Sequence, residues 1–61
     1  MKGPWKVTSN LIIDQKQYQV YRLRDMNEVD HSGNREYGSD LMTDLDAAKA
    51  IADRLNTKEG R

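Results

Sequence analysis

TDLDAAKAIADRLN, residues 43–56, is the stretch whose reading decides the fold of this chain. Leu45, Ala48, Ile51, Ala52 and Leu55 recur at steps of three and four, so one side of a 3.6-residue helix is apolar. Asp44, Lys49, Asp53, Arg54 and Asn56 fall off that stripe. Thr43 is placed to cap the helix, with Asp46 three residues on as a shortened capping box. Asp44 and Asp46 meet the positive end of the helix dipole, and Arg54 and Lys58 the negative end. Asn56 or Gly60 can end the helix, and the chain beyond reads as a tail. The expected organisation is a single domain with its core at about residues 5–56 and a frayed tail over 57–61.

A helix with one apolar side must bury it against another layer, and the preceding residues alternate like strands. Trp5 to Ile13 puts Trp5, Val7, Ser9, Leu11 and Ile13 on one face and Lys6, Thr8, Asn10 and Ile12 on the other. Asp14-Gln15-Lys16 is a polar break of hairpin length. Gln17 to Arg24 predicts a second strand, with Tyr18, Val20 and Arg22 opposed to Gln19, Tyr21 and Leu23. Large side chains on both faces suit a central strand. Asp25 to Asn34 is a polar connection. Arg35 to Met42 predicts a third strand, with Tyr37 and Leu41 on one face, Met42 on the other, and Gly38 marking a bulge or a close approach. The fold class that follows is α+β: a three-stranded antiparallel β-meander packed on one C-terminal α-helix.

Size and composition narrow the function. Sixty-one residues form one small core, and a substrate cavity of about 300 Å³ would remove much of it. There is no cysteine and a single histidine, so neither a disulfide nor a histidine–thiolate metal site is expected. The sequence has no apolar signal segment near MKGPW and no membrane-length apolar run, so the expectation is a cytoplasmic protein without membrane contact. No cofactor, metal, small-molecule substrate or catalytic activity is expected.

Formal charge cancels to zero but is unevenly spread. Residues 1–24 carry five basic groups against one acidic, and residues 25–46 carry seven acidic against one basic. The distribution fits basic strands set beside an acidic loop, or a basic face that meets phosphate or an acidic partner.

Several local patterns suggest chemistry. Asp25, Asn27 and Glu36 fall at the first, third and twelfth places of a calcium loop. Val29 then stands where an oxygen ligand belongs, Asp30 stands where glycine belongs, and the flanks read as strands. A solvated acidic hairpin loop is the expectation. His31 lies between Asp30 and Ser32, but a triad is assembled by a fold and not by adjacent residues, so a loop histidine is expected.

One helix leaves one sheet face uncovered. Depending on which face that is, it shows some of Lys6, Thr8, Ile12, Gln19, Tyr21, Leu23 and Met42; the candidate interaction face is Lys6, Thr8, Gln19, Tyr21 and Leu23. Lys6, Lys16, Arg22 and Arg24, near Trp5, Tyr18 and Tyr21, are the alternative set, able to meet phosphates and base edges. Zero net charge weighs against nucleic acid.

The arrangement YQVYRLRD (18–25) followed by NREYGSDLMTDLDAAKAIADRLN (34–56) resembles the arm-site DNA-binding domain of tyrosine integrases. The likeness covers roughly residues 17–56, including a helix opening at Thr43 and Ala47-Ala48. It implies three strands, a C-terminal helix, and a sheet that reads the major groove. Glu36 and Asp40 make the third strand acidic where that family is usually basic. Most of the chain also resembles short uncharacterised bacterial or phage-encoded proteins with the pattern WKV…YxVYRLRD…DHSGNREY. The leading expectation is a non-catalytic accessory or regulatory interaction module with a protein partner or self-association, and the alternative is a sheet-type DNA-binding protein.

Overall fold

A computed structural model describes residues 2–60; Met1 and Arg61, the last residue of the expected tail, lie outside it. The elements are β1 (Lys6–Ile12), β2 (Gln15–Leu23), a short 3₁₀ turn (Ser32–Asn34), β3 (Arg35–Tyr37) and α1 (Leu45–Lys58). The strands form one antiparallel sheet in the order β1-β2-β3, and α1 lies across β1 and β2. This is the β-β-β-α, α+β architecture that the sequence predicts. No helix among the described residues is long and apolar enough to cross a membrane.

The first turn differs from the expected Asp14-Gln15-Lys16. Ile12 pairs with Gln15, so the loop is Ile13-Asp14, with φ of +47° and +60°. Positive φ at both central residues is the signature of a type I′ hairpin. An isoleucine is strained there, because its branched Cβ crowds the backbone in the left-handed region. The register explains why the turn is accepted. It sets Val7 opposite Val20 and Ser9 opposite Tyr18, and so joins the Trp5–Val7 face of β1 to the Val20 face of β2.

The core is Trp5, Val20, Ala48 and Ala52, with Val7, Tyr18, Met42, Ile51 and Leu55 packed against it. The two alanines let the helix backbone come close to the sheet. Gly38 serves the same packing, since a Cβ there would lie 2.9 Å from Trp5 Cζ3 and 2.9 Å from Leu55 Cδ1.

The third strand is shorter than the expected Arg35 to Met42. Tyr21, Arg22 and Leu23 pair with Tyr37, Glu36 and Arg35. The Gly38 N–H then donates to the Val20 carbonyl (2.8 Å), and the Val20 N–H donates to Ser39 Oγ (3.0 Å). Pairing resumes at Met42, which exchanges both backbone bonds with Tyr18, so the Ser39 hydroxyl stands in for the missing ladder acceptor. Met42 therefore packs on the helix side and not among the exposed residues.

The helix cap is Asp44, not Thr43: Asp44 Oδ1 accepts from the Ala47 N–H at 3.2 Å. Both residue types cap well, and an aspartate adds a charge that suits the helix dipole. At the other end the helix continues past Asn56 to Lys58, and the Glu59 N–H donates to the Leu55 carbonyl. The expected frayed segment thus includes helical residues, and Glu59 is tied into the fold through its side chain.

Candidate interaction face

Strand alternation and the observed register place Lys6 beside Tyr21 and Thr8 beside Gln19 on the sheet face away from α1. Leu23 lies on the same face. All members of the predicted face, Lys6, Thr8, Gln19, Tyr21 and Leu23, are thereby brought together. Two residues of β3 extend it: Tyr37 opposite Tyr21, and Arg35 opposite Leu23. The Arg35 guanidinium lies 4.4 Å from the centroid of the Tyr21 ring. It is held there by Asp30, whose two carboxylate oxygens accept from Nε at 2.7 Å and from the terminal nitrogen at 3.2 Å. The hydrogen bond with Arg35 holds the Asp30 carboxyl below its ordinary range and raises the guanidinium above its own. Gln19 donates to the Ser39 carbonyl at 3.1 Å, which fixes its amide. Tyr37 is 47% exposed and is the most accessible aromatic ring of this face.

The alternative set separates. Lys6 is on the helix-free face. Lys16 pairs with Leu11 at the hairpin end, on the other face. Arg24 is exposed and donates to the Arg35 carbonyl. Arg22 is buried on the helix side, with 8% of its side chain exposed. Its Nη1 donates to both Glu59 oxygens (2.6 and 2.8 Å), and its Nη2 donates to Glu36 (3.1 Å). Lys2 approaches the other Glu36 oxygen at 3.4 Å. The guanidinium lies 4.3 Å from the centroid of the Trp5 ring, and the indole N–H donates to Glu59 Oε2 at 2.8 Å. Arg22 is thus a tie between β2, β3 and the end of α1, and not a residue placed to meet phosphate. The hydrogen bond with Glu36 raises its pKa further and lowers that of Glu36. Arg22 Nε is buried with no acceptor among the described residues.

The acidic loop is organised by Asn34, 3% exposed. Its amide donates to the carbonyls of Asp25 and Val29, and its Oδ1 accepts from the Asp25 N–H. Of the calcium-pattern residues, Asp25 accepts from the Asn27 N–H and Glu36 faces Arg22. His31 Nδ1 accepts from the Gly33 N–H and so starts the short 3₁₀ turn.

Arg35, Tyr37, Glu59 and Asn56 are not among the site residues that the sequence predicts. One signal for the tie was available: Arg22 alternates with Tyr18 and Val20, so a charge stood on the core face and required a carboxylate. Set against protein-family models, curated proteins and solved structures, the chain matches none of them.

Proposed function

We propose that the protein is a non-catalytic interaction module that docks a protein partner on the helix-free sheet face. The observation that carries this reading is the row Lys6–Tyr21–Tyr37 across all three strands, flanked by Arg35 and Leu23. Two tyrosines offer rigid rings with polar tips, Lys6 supplies positive charge at the margin, and Arg35, paired with Asp30, stacks its guanidinium on Tyr21. Aromatic and arginine side chains on a rigid sheet are the residue types that anchor protein interfaces. The chemistry favours a partner surface with an apolar centre and acidic surroundings. The dispersal of Lys6, Lys16, Arg22 and Arg24 over different surfaces supports a protein partner over DNA.

The test is site-specific photo-crosslinking in the source cells. A benzoylphenylalanine at Tyr37 should capture one discrete partner, whereas the same group at Lys49 on the outer helix should not. Equal capture from both positions would overturn the reading. So would salt-sensitive micromolar binding of duplex DNA that is lost on changing Lys6 and Arg24.

A further inference from the structure

We propose that the outer edge of β1 is a self-pairing edge, through which two copies of this chain join antiparallel about a two-fold axis at Ser9. This goes beyond the sheet-face reading and uses a different surface.

The direction of the backbone groups carries it. Val20 and Tyr18 turn their N–H and C=O groups toward Gly38, Ser39 and Met42, the segment that continues β3. In an antiparallel pair, groups that point to one neighbour do not point to the other. The residues opposite them on β1, Ser9 and Val7, therefore turn their own groups away from β2, and Leu11 follows by alternation. Trp5, in phase with these three, confirms it. Its N–H donates to Asn56 Oδ1 at 2.8 Å and its C=O accepts from Asn56 Nδ2 at 3.1 Å. The fold thus closes this edge at Trp5 with a side-chain amide. At Val7, Ser9 and Leu11 no strand or side chain does so among the described residues.

The open stretch is self-complementary. A two-fold at Ser9 sets Ser9 opposite itself and Val7 opposite Leu11 of the second copy. These are the residues whose backbone groups face outward, so every outward donor meets an outward acceptor. The side chains agree. Leu11 is 74% exposed and would lie beside Val7 of the second copy, which already packs on the core. Lys6, the one charge on the strand, would lie opposite Ile12 and approach the Asp14 that follows it in the second copy, pairing opposite charges at both ends. Edge strands of monomers are usually guarded by proline, lysine or a bulge; here Pro4 and Lys6 stand only at the start of β1, and Val7 to Ile12 carries none of these. The product is one continuous sheet of both copies with both helices on the same side. A ladder this short sits at the low end of interface sizes, roughly below 1,200 Å², so the dimer should be concentration-dependent.

Sedimentation of the pure protein between about 10 µM and 1 mM tests this, the range being that expected for a small interface. The weight-average mass should rise from 7.1 kDa toward twice that value. Amide exchange at Val7, Ser9 and Leu11 should slow over the same range. Ser9 carrying an N-methyl group, made by chemical synthesis, loses only an outward N–H and should stay monomeric with an unchanged far-ultraviolet spectrum. Leu11→Lys should also stay monomeric, which covers the case in which the N-methyl chain fails to fold. A wild-type monomer at 1 mM, the top of that range, would overturn the proposal and leave the edge to a foreign strand. A dimer that survives both changes would overturn it equally. Capture of a foreign partner from Tyr37 can fail while the edge dimer stands, and the reverse, so the two readings fall separately.

Discussion

Truncating Glu59 to alanine should destabilise this protein more than replacing the arginine it binds. Glu59 accepts two bonds from the buried Arg22 and one from the Trp5 indole. Removing a carboxylate from a fully buried pair costs about 3–5 kcal/mol, because the remaining charge is left uncompensated. Two features reduce that figure. The Glu59 side chain is 33% exposed, and Glu36 still holds Nη2. The expected cost of Glu59→Ala is therefore about 2 kcal/mol, near the value of one charge-assisted hydrogen bond. For a chain this small that is a large share of a total of about 3–9 kcal/mol, and it should lower Tm by about 8–15 °C. Arg22→Met keeps the volume beside Trp5 and leaves Glu36 and Glu59, both partly solvated, to water. It should cost about 1 kcal/mol or less. Urea unfolding followed by Trp5 fluorescence and far-ultraviolet dichroism reads both variants, and Trp5 is the only tryptophan. The reasoning fails if Glu59→Ala lies within about 0.5 kcal/mol of wild type, the scatter of ordinary surface changes, or if Arg22→Met is the worse of the two.

Other expectations are more local. Asp44→Ala should cost about 1 kcal/mol while Thr43→Ala stays within about 0.5 kcal/mol, read from the same urea curves, because only Asp44 accepts from the helix start. Ile13→Gly should raise stability by about 0.5–1 kcal/mol, since glycine adopts φ of +47° without strain and the lost side chain is 94% exposed. Acid should weaken the fold with a definite sign. The folded-state pKa values of Glu36 and Asp30 lie below their ordinary 4.5 and 3.8. Their contribution is therefore complete above that range and is lost as pH falls through and below it. Thermal melts from pH 7 down to pH 3 should show a falling Tm that Glu36→Gln flattens.

Much of the architecture was legible because its signals were periodic. The stripe from Leu45 to Leu55 and the alternation of Trp5 to Ile13 each name an element and a face. What was not legible depended on a single choice, the position of the first turn. A three-residue loop at Asp14–Lys16 would join Trp5 and Val7 to the Tyr21–Leu23 face of β2, the two-residue loop Ile13-Asp14 joins them to the Val20 face, and Ile13 carries no turn signal. Until that choice is made, Arg22 reads as an exposed cation and Met42 as an exposed apolar group. The Arg22–Glu59 tie joins residues 37 positions apart, and no local pattern names Glu59 as the carboxylate that Arg22 requires. Arg35 and Tyr37 were missed as site residues for a related reason. Their face follows from that of β2, which the first turn decides.

Which side of the sheet α1 covers is the premise under both the docking face and the Arg22 tie. A NOESY spectrum of the protein addresses it directly. Cross-peaks from the Ala48 and Ala52 methyl groups to Val20 and the Trp5 ring, and none to the Tyr21 or Tyr37 rings, are the predicted result. Cross-peaks from those methyls to Tyr21 would put the helix on the other face and contradict the account.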